Sequence, residues 1–229
     1  MFDNDWYLRQ IDIFEGLNRS EVEFMERLFV QRTFAKKDMI FSPDDESDRI
    51  YYIKKGKVKI SKFSPDGREI ILGIYQKGDL FGETMIYFSG LRETYAIALE
   101  ESDVWMLRKG NLEKLLENIP ELREKLMIVI AQRRYEIEQR LEDIVFKTVG
   151  ERLASLILIL GKKFGEEVGR AKKINLKLIH YDLANLVGST RETTTSVLNQ
   201  FKRKGLIDVQ DKMILILNEE GLENIVSRV

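Results

Sequence analysis

Apolar and polar positions alternate in two different rhythms along this chain. In residues 34–107, short runs rich in β-branched and aromatic side chains (50–53, 57–63, 69–75, 94–98 and 104–107) are separated by turn chemistry at Pro65-Asp66-Gly67 and Lys77-Gly78-Asp79. Many short strands with a turn about every ten residues predict an all-β barrel, roll or sandwich. Ahead of it, Ser20-Glu-Val-Glu23 reads as a capping box before Phe24, Leu28 and Phe29, and predicts a short helix over 20–30.

Beyond Leu112 the rhythm becomes helical, with Asn118 read as an N-cap and Pro120 as a first-turn proline. Leu126, Ile130, Ile137, Leu141 and Ile144 then recur in a heptad-like stripe along a helix of about 25 residues, which predicts a dimer seam. The alternative is a helix packed on its own domain. Arg133 sits where the stripe should be dry, so it needs an anionic partner or must snorkel off the edge.

Residues 149–164 predict a further amphipathic helix, with Gly161, Gly165 and Gly169 marking a loop after it. A helix over 181–187, a turn at Gly188 and a second helix over 189–204 have helix-turn-helix spacing, with Ala184 small at the contact and Val197 apolar on the inner face. Runs 206–209 and 213–217 around Asp211-Lys212 predict a hairpin wing. The expected class is α+β: a β-rich domain over 1–117, a long dimerisation helix over 118–146 and a winged helix-turn-helix over 147–229.

Charge sharpens this division. The chain carries 37 Lys and Arg against 38 Asp and Glu, but from Lys147 onward there are 14 basic residues against 10 acidic, so the C-terminal part is the better partner for a polyanion. With no Cys and one His, cysteine-ligated zinc, iron–sulfur clusters and multi-histidine metal sites are excluded. The longest apolar run, 153–160, is far short of the ~20 residues that cross a bilayer, and the N-terminus lacks a signal-peptide pattern. These features predict a cytoplasmic protein without membrane contact. No nucleophile–base pair or metal cluster suggests an enzyme.

Double-stranded DNA is the partner expected for the second helix. Arg191 and Glu192 lie in its first turn, where Arg can bond guanine bidentately and Glu can accept from cytosine. Ser189-Thr-Arg-Glu192 is also a capping box, which would give Glu192 to the helix itself. Thr190, Thr195, Ser196, Lys202 and Arg203 are candidates for phosphates or base edges, and His180 for capping or phosphate contact. In the β-rich part, Phe81-Gly82-Glu83 and Arg92 have the makings of a small-anion cradle, a glycine amide and a guanidinium facing one cavity.

Phe81-Gly-Glu83 with Arg92 and Ala98-Leu-Glu100, Val149-Gly-Glu-Arg-Leu-Ala154, and Asp182-Leu-Ala-Asn-Leu-Val-Gly-Ser-Thr-Arg-Glu-Thr193 resemble the family of cyclic-AMP receptor protein and fumarate-nitrate reduction regulators (CRP/FNR). The resemblance spans about 13–217. It implies a cyclic-nucleotide-binding-like β-roll, a dimerising helix and a winged helix-turn-helix, in homodimers that bind palindromic operators as transcription regulators, often activators, in contact with RNA polymerase. In cyclic-AMP-binding members a Ser or Thr follows the arginine, where this chain has Glu93, and hydroxyl residues meet the purine where Ile137 and Glu138 stand; cyclic AMP is therefore disfavoured. The lack of Cys excludes the iron–sulfur branch, and the position of His180 a His-ligated heme. The segments 147–164 and 174–193 are more similar to nitrogen-control regulators of the NtcA type, whose 2-oxoglutarate site falls by alignment on Arg92, Arg133 and Glu138. Glu83 and Glu93 depart from that pattern. A 2-oxoglutarate-like effector, no effector and a cyclic nucleotide all stay open. Ser196 also stands where many members carry a second arginine, so the operator should differ from the best-known half-site.

Overall fold

The computed structural model describes residues 10–86 and 90–226, which form two compact units, one over Gln10–Arg133 and one from Arg134 onward. The N-terminal residues read above for a signal peptide lie outside the described ones.

The first unit contains α1 (Arg19–Leu28), eight strands, α2 (Lys109–Asn118) and the start of the long helix α3 (Glu121–Phe146). The strands are β1 (Val30–Phe34), β2 (Met39–Phe41), β3 (Arg49–Lys55), β4 (Lys57–Phe63), β5 (Glu69–Gln76), β6 (Leu80–Phe81), β7 (Tyr95–Ala98) and β8 (Ser102–Arg108). They form two antiparallel four-stranded sheets, ordered β1-β8-β3-β6 and β2-β7-β4-β5, which make the β-roll. Strand β3 shows why its run is apolar at successive positions. Tyr51 and Ile53 enter one core with Phe34, Phe41, Val58, Phe81, Ala96 and Val104. Ile50 and Tyr52 point the other way, into a second core with Met25, Trp105, Leu107, Leu115, Leu122 and Leu126. The period-2 alternation of a strand serves both cores at once.

Three local readings are corrected. Asn18 caps α1, its carboxamide oxygen accepting from the Glu21 amide while Glu21 accepts from the Asn18 amide, so the capping box begins two residues before Ser20. Asn118 closes α2 instead of opening α3, its side chain donating to the Lys114 carbonyl. Strands β1, β2 and β6 were not legible as separate runs.

The second unit contains the rest of α3, α4 (Val149–Phe164), the hairpin β9 (Gly165–Val168) and β10 (Ala171–Ile174), α5 (His180–Val187), α6 (Arg191–Arg203), the hairpin β11 (Ile207–Gln210) and β12 (Met213–Ile216), and α7 (Glu219–Val226). Thr148 and Glu151 close a capping box on α4, whose Leu153, Ala154, Ile157, Leu160 and Phe164 are buried. Gly161 belongs to this buried face and not to a loop: a Cβ there would come within 2.6 Å of the Ile216 side chain. Gly165 likewise starts β9, in a sheet ordered β11-β12-β10-β9. Helix α7 packs on α4 with Leu222 wholly buried. No described helix is long and apolar enough to cross a membrane.

Candidate functional site

In the β-roll, the turn after β6 gathers most of the predicted cradle. Gly82 has φ +81°, and a Cβ on it would lie 3.1 Å from Arg92 Nη1 and 3.0 Å from the Tyr51 ring, so both backbone shape and space require glycine. Arg92 is buried; its Nη2 donates to the Arg49 carbonyl at 2.6 Å, its guanidinium lies 4.1 Å over the Phe41 ring, and its Nε is buried with no hydrogen-bond partner. Burial pulls the guanidinium below its ordinary pKa, against the opposing pull of Tyr51, Asp48 and Asp45.

Glu83, the next residue along, forms an ion pair with Arg133 of α3, which also donates to the Leu80 carbonyl. Burial lowers the Arg133 pKa, but Glu83, Tyr75 and Asp79 outweigh it and hold the guanidinium above its ordinary value. The charge in the apolar stripe thus has its anion, and the anion belongs to the chain itself. The two arginines also cap one aromatic array: Arg92 lies over Tyr51, Tyr51 stacks on Phe81 at 4.9 Å, Phe81 stacks on Tyr75 at 6.4 Å, and Arg133 lies 4.6 Å over Tyr75. Three rings link the guanidinium groups.

Two other carboxylates named from the sequence have partners of their own. Glu138 pairs with Arg134 one turn away at 2.8 Å on an exposed part of α3. Glu93 pairs at 2.7 Å with Lys62, and that bond holds its carboxyl below the usual range; the Glu93 side chain is 79% exposed, so its charge is solvated and bears less on a bound phosphate than its position in the chain suggests.

In the second unit the turn between α5 and α6 is the tight one expected, with Gly188 left-handed at φ +66°. Thr190 is the N-cap of α6, its hydroxyl accepting from the Thr193 amide, so the Ser189–Glu192 box is not formed and Glu192 takes no part in the cap. Thr194, Leu198 and Phe201 face the core. The opposite side presents Glu192, Ser196, Asn199 and Arg203, with Arg191 exposed beside them. Sequence reasoning missed Asn199; the 3.6-residue spacing from Glu192 through Ser196 was the signal that could have found it. His180 Nδ1 and Thr195 Oγ1 are 2.8 Å apart, each supplying the other's partner. Lys202 Nζ lies 3.2 Å from the Asp208 carboxylate on β11, bracing helix to wing. The wing turns at Asp211 and Lys212, both with positive φ, the backbone of a two-residue hairpin.

The predicted seam divides along its length. Leu126 is buried in the core of its own unit and Ile130 packs partly against it, as the single-domain alternative required. Ile137, Leu141 and Ile144 are exposed, at 65%, 62% and 49%, together with Val145 and Phe146.

Comparison with known proteins agrees with both units. Residues 31–119 match the cyclic nucleotide-binding domain family and residues 151–225 the Crp-like helix-turn-helix domain. The chain is 32% identical over 218 residues, 95% of its length and 97% of the relative, to a CRP-like cAMP-activated global transcriptional regulator of Mycobacterium tuberculosis. It is 30% identical to the global nitrogen regulator of Nostoc, covering 82% of this chain and 85% of that one. Among solved structures, a CRP/FNR-family transcriptional regulator from Thermus thermophilus aligns with TM-score 0.72 at 26% identity, over 86% of this chain and 98% of that one. A CooA variant from Carboxydothermus hydrogenoformans shares the fold, with TM-score 0.78 at 20% identity over 96% of this chain and 99% of that one. A β-roll that matches the cyclic nucleotide-binding domain, followed by a winged helix-turn-helix of the Crp-like kind, defines the class as a DNA-binding transcription regulator. The chain belongs to the CRP/FNR family of transcription regulators, and the relatives it matches are regulators, not enzymes.

Proposed function

We propose that this protein is a homodimeric, cytoplasmic regulator that binds palindromic operators, acts as an activator through contact with RNA polymerase, and is controlled by a small anion held at Gly82 and Arg92. The division into an effector domain over 1–117, a dimerisation helix over 118–146 and a DNA-binding domain over 147–229 belongs to the same proposal. The observation that carries the effector reading is Arg92: a buried guanidinium with an unpartnered Nε, beside a glycine whose missing side chain keeps the approach open. The exposed Ile137, Leu141 and Ile144 support the dimer, since three large apolar side chains along one stripe of a helix call for a cover. Arg191, Glu192 and Ser196 are the base-reading candidates, and Thr190, Thr195, His180 and Lys202 position the helix.

A 2-oxoglutarate-like dicarboxylate must displace Glu83 from Arg133 to use both guanidinium groups. That exchange is itself a switch, because the anion that replaces Glu83 changes what holds α3. A second reading, control without any effector, is favoured by the same ion pair: Glu83 already supplies the carboxylate that Arg133 needs. A cyclic nucleotide, the ligand named for the mycobacterial relative, is the third. Three arms decide among them, enriching binding sites from a random duplex pool with 2-oxoglutarate, with cyclic AMP and with neither. A palindrome enriched only in one ligand arm, with a rise in melting temperature that Arg92→Ala abolishes, supports control by that ligand. Arg133→Ala should remove the response while the roll stays folded. Equal enrichment in all arms overturns the effector reading, and no motif in any arm overturns the palindrome reading.

A further inference from the structure

Two guanidinium groups, those of Arg140 and Arg152, meet the carbonyls that end α3 and those that flank the Gly188 turn. Arg140, on α3, donates from Nη2 to the Leu186 carbonyl at 2.9 Å. Arg152, on the first turn of α4, donates from Nη1 to the Lys147 carbonyl at 3.1 Å and the Ile144 carbonyl at 3.4 Å, and from Nη2 to the Gly188 carbonyl at 3.4 Å. The carbonyls at the C-terminal end of a helix have no partner within the helix, and they carry the negative end of its dipole. Here the ends of both α3 and α5 are met by cations. The Ile144 side chain completes the contact, reaching within 4.0 Å of where a Cβ on Gly188 would lie, and Lys163 of α4 pairs with Glu136 of α3.

We infer that Arg140 and Arg152 are positioning residues for DNA recognition: they staple the turn that aims α6 to the last turns of α3. The direction of α6 follows from the Gly188 turn, since Ser189 and Thr190 alone separate that glycine from the first helical residue. A turn fixed to α3 makes α6 follow any rotation of that helix directly, through the carbonyl contacts of Arg140 and Arg152 and not only through the chain at Lys147 and Thr148. Arg152 is the more demanding of the two positions, because one planar fork serves both helix ends, which the single nitrogen of a lysine cannot do. The inference rests on the DNA-binding assignment and needs no effector.

The test compares wild type, Arg152→Ala, Arg152→Lys and Arg140→Gln on two duplexes, the palindrome selected by the wild type and a scrambled duplex of the same length and composition. For a positioning role, Arg152→Ala weakens binding to the palindrome about tenfold and to the scrambled duplex less than about twofold, the scale of one or two lost hydrogen bonds read through geometry. Arg152→Lys stays impaired although its charge is kept. In parallel, hydrogen exchange at the amides of 188–193 speeds up about tenfold in Arg152→Ala, while 153–160 inside α4 keep their protection. Equal loss on both duplexes, full rescue by lysine, or unchanged exchange at 188–193 overturns the inference. Should Arg152→Ala fail to fold, Arg140→Gln carries the same two readouts. If the wild type selects no palindrome, it is the operator reading that has failed, and the exchange experiment still decides the staple.

Discussion

The arginines of the β-roll and those of α6 are the same side chain held in opposite surroundings. Arg92 and Arg133 lie against aromatic rings, bonded to the Arg49 and Leu80 carbonyls, and Arg133 is also neutralised by Glu83. Arg191 and Arg203 stand exposed on a helix whose inner face is taken up by Leu198 and Phe201. An interior cation that has its own anion is satisfied before any ligand arrives, so a ligand at Arg133 competes with Glu83, whereas Arg92 keeps an unpartnered Nε. A surface cation is kept solvated by water, which a phosphate or a base edge displaces at little cost. The roll is therefore suited to a switch, and α6 to a reading head.

The largest expected effect tests the interior side of this contrast. Phe81 stands between Tyr51 and Tyr75 and is 1% exposed, so Phe81→Ala should cost about 3–5 kcal/mol in chemical denaturation. A cost below about 1 kcal/mol would mean that the aromatic array is not what supports the two arginines. Arg191→Ala should weaken specific binding by about 1–3 kcal/mol and non-specific binding far less; equal losses would make it a phosphate contact. A double-mutant cycle of Glu83→Gln and Arg133→Met should return a coupling of roughly 1–2 kcal/mol in melting experiments. That is below the figure for a fully buried pair because the side chains are 21% and 14% exposed. A coupling of zero would remove the internal competitor.

Two smaller effects sharpen the comparison. Lys202→Ala should change stability by less than about 0.5 kcal/mol, since the pair with Asp208 is about 40% exposed, and change specific binding less than about threefold. A large binding loss would return Lys202 to the set of direct contacts. The Thr148 amide and hydroxyl hold the Glu151 carboxyl below its ordinary pKa, so its contribution is present above the usual glutamate range and is lost as pH falls through the lowered value. The melting difference between wild type and Glu151→Ala should be present at neutral pH and vanish in acid; a difference that persists below about pH 3 would make the residue's role one of packing.

Much of the fold was legible because strand and helix periods differ. The run 57–63 matches β4, residues 149–164 match α4, and the wing turn at Asp211 and Lys212 falls where the polar pair interrupts two apolar runs. Caps were the weak point. Asn18 and Thr190 are each chemically interchangeable with a neighbour, Ser20 and Ser189, and only the backbone decides which hydroxyl or carboxamide meets an amide. Helix α7 went unread because Glu219-Glu-Gly-Leu-Glu-Asn offers one strongly buried side chain, Leu222.

By itself the sequence determined the succession from a β-rich part to a long helix and a helix-turn-helix, the spacing of that motif and the lack of Cys and of a second His, because these depend on residue type and local period. It also singled out Arg133 as a charge in need of an anion. Tertiary structure alone decided which anion answers that need, that Glu93 and Glu138 turn to Lys62 and Arg134, and that the apolar stripe of α3 is buried at Leu126 and open at Ile137. The physical reason is the same in each case. Charge pairing and burial are settled between residues distant in the chain, and local sequence specifies what a side chain requires without specifying which neighbour the fold will bring to it.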